Sequence, residues 1–147
     1  MSPRAPAIVI VDDPETPHGE LMRRCAGASG SGLAVRWLAP SLNLPDHLSA
    51  VQDADAVAIP LGLRGATLDD RFTQRLMAAV RALRERGIPV LVAAGTHRPN
   101  LLARAGVAVS MGDVPGSGST SEACVRAAAQ IALGRAPMAT RTETSEA

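Results

Sequence analysis

Asp12 and Asp13 stand directly after an apolar run near the start of the chain, and His18 follows across the short segment Pro14, Glu15, Thr16 and Pro17. A carboxylate at a strand end, facing a histidine at the next helix start, can hold one imidazole nitrogen and fix the tautomer. The other nitrogen is then left to act as a base. What such a pair lacks is a nucleophile. Gly116, Ser117, Gly118, Ser119, Thr120 and Ser121 form a small-residue loop ahead of a helical segment. A serine there would sit beside the N–H groups that a helix N-terminus leaves unpaired, where an oxyanion can be stabilised. By itself the loop reads more readily as a capped turn, with Ser119, Thr120 and Ser121 all available as caps or as nucleophiles.

These residues need elements to position them. Three runs rich in Val and Ile, namely Ile8 to Val11, Ala56 to Ile59 and Pro89 to Ala93, read as buried parallel strands. Gly32 to Leu38 and Val107 to Met111 are weaker strand candidates. Phe72, Leu76, Val80 and Leu83 share one helical face, Arg71, Arg75, Arg81 and Arg84 occupy the others, and Gly87 supplies a stop. A last helix is expected from Ser121 to Leu133, with Glu122 in its first turn, where the helix dipole favours negative charge. Strands alternating with helices define the fold class as α/β, a three-layer open and mainly parallel sheet with helices on both faces. A single domain is expected over residues 1–136, followed by a polar, disordered tail over 137–147. Ligands of open α/β sheets lie beyond the carboxyl ends of the strands, so the residues just after each apolar run are where chemistry is expected.

Composition narrows the function. A chain of 147 residues closes around one core. With aromatic residues at 1%, that core must be built from Ala, Val, Leu and Ile. The net charge is +1, and the 15 basic residues are all Arg with no basic cluster, so nucleic-acid binding has no support. The run Ala7 to Val11 is too short for a signal-peptide core or a membrane span, and a cytoplasmic protein without membrane association is expected. Cys25 and Cys124 lie far apart, outside any CxxC spacing, and read as small core residues. Asp113 is a lone carboxylate, and neither a metal nor a cofactor is expected. His47 reads as a loop residue. His97, beside Thr96, reads as a surface histidine or a contact for an oxyanion or substrate. The Asp12–Asp13 pair also resembles the acidic pair of a response-regulator receiver domain. Such a domain needs a phosphoacceptor aspartate where Ile59, Pro60 and Leu61 stand, and a lysine that this chain lacks.

Taken in order, the motifs resemble the subtilisin family of serine proteases. IVIVDD at Ile8 to Asp13 is similar to the strand carrying the family's aspartate, and HGELMRRCAG at His18 to Gly27 to its histidine-glycine helix start. DAVAIPLG at Asp55 to Gly62 is similar to the strand ending in Ser-Leu-Gly, with Pro60 in place of the serine. RGIPVLVAAGTHRPN at Arg86 to Asn100 resembles the strand ending in Ala-Ala-Gly-Asn, and GSTSEACVRAAAQIAL at Gly118 to Leu133 the nucleophile helix. The resemblance implies a minimal subtilisin-like fold in which Asp12 orients the base, His18 is the general base and acid, and Ser121 is the nucleophile. It also implies Thr96 at the oxyanion position and Leu61, Gly62 and Gly95 along the substrate. Thr96 replaces the family's oxyanion asparagine, and the spans from Asp12 to His18 and from Thr96 to Ser121 are shorter than is usual, which removes cleft-forming and calcium-binding segments. Two functions follow as expectations. One is an intracellular serine hydrolase cleaving a peptide or protein substrate. The other is a pseudoprotease holding an extended peptide, such as a precursor peptide, along Leu61 and Gly62. A homodimer is a candidate assembly.

Overall fold

The computed structural model describes residues 5–30, 32–60, 70–93, 108–110 and 121–144. Among these, the elements run β1 (Ala7–Val11), α1 (Pro17–Ala28), β2 (Ala34–Leu38), α2 (Leu44–Ser49), β3 (Ala56–Ile59), α3 (Asp70–Glu85), β4 (Val90–Val92), β5 (Val109–Ser110) and α4 (Ser121–Thr144). The strands form one sheet in the order β2-β1-β3-β4-β5, and every neighbouring pair is parallel. The fold is α/β, as the alternating pattern of the sequence predicts.

Because side chains alternate across a strand, β1, β3 and β4 each feed two cores. Val9, Val11, Val57, Ile59, Val90 and Val92 face one way, onto Leu44 and Leu48 of α2 and Phe72, Leu76, Val80 and Leu83 of α3. Ile8, Ile10, Ala56, Ala58, Leu91 and Ala93 face the other way, onto Met22, Cys25 and Ala26 of α1 and Ala123, Cys124, Val125, Ala128, Ala129 and Ala132 of α4. Both strand runs and helix periodicity are read correctly from the sequence, and both cysteines are buried. The second core is the smaller-grained of the two. Alanines on β3 meet alanines on α4, so this helix can lie close to the sheet.

Several assignments differ from expectation by more than a residue or in kind. β2 starts at Ala34 because Gly32 adopts φ 81°, a turn conformation that ends the possibility of extended pairing there. His47 is helical and not a loop residue, since Leu44 and Leu48, one turn apart and both fully buried, pin a short helix with Pro45 in its first turn. α1 begins at Pro17 with Thr16 as its N-cap, so His18 lies inside the first turn. α4 runs on to Thr144, where the composition suggests an end near Leu133 and a disordered tail. Gly87 does terminate α3: at φ 81° it lets Ile88 N–H donate to the Leu83 carbonyl at 2.9 Å.

Candidate active site

The strand order places a topological switch between β1 and β3. From β1 the chain turns to α1 on one face, whereas α3, which follows β3, lies on the other, and the carboxyl ends of these two strands are where open sheets of this order take their ligands. Asp12 immediately follows β1 and Pro60 immediately follows β3. β1 and β3 pair Ile8 with Ala56, Val9 with Val57 and Ile10 with Ala58. Asp12 and Pro60 therefore both lie just beyond the carboxyl ends of two neighbouring strands.

Asp12 is 2% exposed, and both of its carboxylate oxygens are engaged. Oδ1 accepts from the Asp13 N–H at 2.7 Å, and Oδ2 lies 2.7 Å from Nδ1 of His18. An ionised carboxylate can only accept, so Nδ1 carries the hydrogen and Nε2 is the acceptor of the neutral ring. The imidazole is one-third exposed. The pair expected from the sequence is thus formed, in the orientation that makes Nε2 a base.

The local chain explains why so short a segment suffices. Thr16 caps α1 by accepting from the Gly19 N–H at 3.0 Å, and Pro17 supplies a helix-compatible φ at the first position. The segment is drawn in further by Thr16 N–H and Thr16 Oγ1, both of which donate to the Asp13 carbonyl at 3.1 and 2.8 Å. The Glu15 N–H donates to Asp13 Oδ1 at 2.9 Å.

Ser121 is the first residue of α4, which packs on β3, β1 and β4 and against α1. Its Oγ donates to the Pro60 carbonyl at 2.7 Å. The hydroxyl is therefore brought to the end of β3, beside the strand that carries Asp12, but its hydrogen is directed to a backbone acceptor. One turn further along, the Cys124 thiol donates to the Leu91 carbonyl at 3.2 Å and ties the same helix to β4. Burial pushes this thiol up to about 12.

Thr96, Leu61, Gly62 and Gly95, with His97, Asp113, Ser119 and Thr120, lie outside the described residues. Sequence reading missed the parts played by Thr16, Gly19 and the Pro60 carbonyl. For Thr16 the signal was present, since a threonine before a proline at a helix start is a capping pattern. For the Pro60 carbonyl there was none. A cavity of about 370 Å³ lined by Arg24, Cys25, Ala28, Ser29, Arg126 and Gln130 lies between α1 and α4 and includes none of Asp12, His18 and Ser121. Among the described residues, no group of acidic, histidine and cysteine side chains is arranged to hold a metal ion, and no helix is long and apolar enough to cross a membrane. No protein-family model, curated protein or solved structure matches this chain.

Proposed function

We propose that the protein is a minimal serine hydrolase acting on a peptide or protein substrate, with Ser121 as nucleophile, His18 as general base and acid, and Asp12 as the group that orients the imidazole. The observation that carries this reading is the bond between the buried Asp12 carboxylate and His18 Nδ1 at 2.7 Å, at the sheet's switch point. A buried carboxylate on an imidazole is costly to desolvate, and the arrangement leaves Nε2 as the proton acceptor. Ser121, at the start of α4 and bonded to the residue after β3, is the hydroxyl that the sequence order and the helix start both support.

In the proposed reaction the hydrogen of Ser121 Oγ leaves the Pro60 carbonyl for His18 Nε2 as Oγ attacks the substrate carbonyl carbon. His18 then passes that proton to the leaving amine, and water attacks the acyl-enzyme with the ring again as base. The positive end of the α4 dipole favours the developing oxyanion. Thr96 is the residue that the sequence resemblance puts forward as a further donor.

The bond from Ser121 Oγ to the Pro60 carbonyl favours a second reading, in which the hydroxyl is structural and the site holds an extended peptide without cleaving it. A fluorophosphonate probe separates the two. Mass-spectrometric mapping of an adduct on Ser121, absent in Ser121→Ala and strongly reduced in His18→Ala, is the result expected of the hydrolase. A folded protein that takes up no probe would make the peptide-binding reading the better one.

A further inference from the structure

Gly19 is buried at the point where α1 meets the end of β1. A Cβ there would overlap the Asp13 carbonyl oxygen and would stand 2.6 Å from the Asp13 carbonyl carbon and 2.8 Å from Pro14 Cα. All three are backbone atoms, so no side chain can swing aside. The helix start therefore approaches the strand end more closely than any residue with a side chain would permit.

The same carbonyl is the hub of the turn. It accepts from both the amide and the hydroxyl of Thr16, and the Thr16 oxygen in turn accepts from the Gly19 N–H at 3.0 Å. One hydroxyl thus joins the residue after Asp12 to the residue after His18, spending its hydrogen on the strand end and a lone pair on the helix. The Asp12 carboxylate cannot follow if the helix start shifts, because it is buried and Oδ1 is held by the Asp13 N–H. Any displacement of α1 consequently appears as a change in the Asp12–His18 distance.

We propose that Thr16 and Gly19 are the positioning residues of the Asp12–His18 pair, Thr16 as a two-way hydrogen-bond link and Gly19 as the close contact that sets the reach. Neither meets the reacting atoms; both act through the imidazole. The catalytic consequence rests on the hydrolase reading, whereas the geometric one does not.

The test uses the full chain with Thr16→Val, which keeps the shape and loses the hydroxyl, Thr16→Ser, which restores it, and Gly19→Ala. The first readout is the NMR resonance of the His18 Nδ1 proton, assigned by its loss in His18→Gln. A downfield, exchange-protected signal is expected in the wild type and in Thr16→Ser, and its loss or upfield movement in Thr16→Val and Gly19→Ala. The second is the rate and pH profile of fluorophosphonate labelling at Ser121. The rate is expected to fall roughly 10- to 100-fold in Thr16→Val, the scale of a misplacement approaching 1 Å, and to recover in Thr16→Ser. Should Gly19→Ala fail to fold, the threonine pair carries the comparison. A folded Thr16→Val with the wild-type His18 signal and labelling rate would overturn the proposal. A wild type that takes no probe but shows the downfield signal, lost on Thr16→Val, removes the hydrolase reading and leaves the positioning role supported.

Discussion

Raising the pH above 9 should destabilise this protein through its thiols, and the composition makes the effect unusually clean. The chain contains no Tyr and no Lys, and Arg stays protonated throughout, so the two cysteines are its only side chains that titrate between about pH 8.5 and pH 12. Burial raises the Cys124 thiol from 9.0 to about 12. Cys25 is also raised, by burial first and Glu122 second, with Arg126 opposing. A thiol whose folded pKa is raised stays protonated in the fold after the unfolded chain has lost its proton. Stability is therefore complete below about pH 9 and declines as the pH climbs towards 12. The slope is about 1.4 kcal/mol per pH unit for one such group, giving on the order of 4 kcal/mol over the window for Cys124. That is a large part of the roughly 5–15 kcal/mol that holds a domain together. Urea denaturation at a series of pH values reads it directly, as a midpoint falling by roughly 0.5–1.4 M per unit. Cys124→Ala should start from a lower midpoint, because the sulfur leaves a void, yet show a shallower slope, and Cys25→Ala with Cys124→Ala should be nearly flat. Midpoints that do not move across the window, or a Cys124→Ala profile as steep as the wild type, would refute the reasoning.

Asp12→Asn offers one acceptor oxygen to two donors, the Asp13 N–H and His18 Nδ1–H, and should turn the imidazole to its other tautomer. Fluorophosphonate labelling should then fall about 10⁴-fold, while urea denaturation shows a loss of only about 1–3 kcal/mol. Ala58→Leu would wedge the close contact between β3 and α4, costing about 1–3 kcal/mol by thermal or urea unfolding. It should also lower labelling at Ser121, whose helix would be lifted from the Pro60 carbonyl. Leu83→Ala, in the opposite core, should cost about 2–5 kcal/mol and leave the labelling rate of the folded protein unchanged.

Much of the architecture is legible in residue order because buried strands and amphipathic helices are local patterns. Ile8 to Val11 and Ala56 to Ile59 have too many β-branched and apolar side chains to be anything but buried, and the spacing of Phe72, Leu76, Val80 and Leu83 admits one helical face. The Asp12–His18 pair is legible for the same reason: the segment between a strand-end carboxylate and a helix-start histidine is short, whereas the Thr16 cap that holds it was not read from the sequence. α2 escapes such reading because it is barely more than a turn, held by Leu44 and Leu48 against α3 and not by its own propensity.

By itself, then, the sequence determined which segments are strands, which face of α3 is buried, and that a carboxylate and an imidazole meet after β1. Only the tertiary structure decided that β3 lies beside β1, that their register pairs Ile10 with Ala58, and that the Ser121 hydrogen goes to the Pro60 carbonyl. It also decided that Gly19 is needed at a backbone contact no side chain could enter. The physical reason is one of range. Propensity, capping and periodicity act over a few residues, whereas strand order, register and a hydrogen bond from residue 121 to residue 60 arise from burying two faces of one sheet at once.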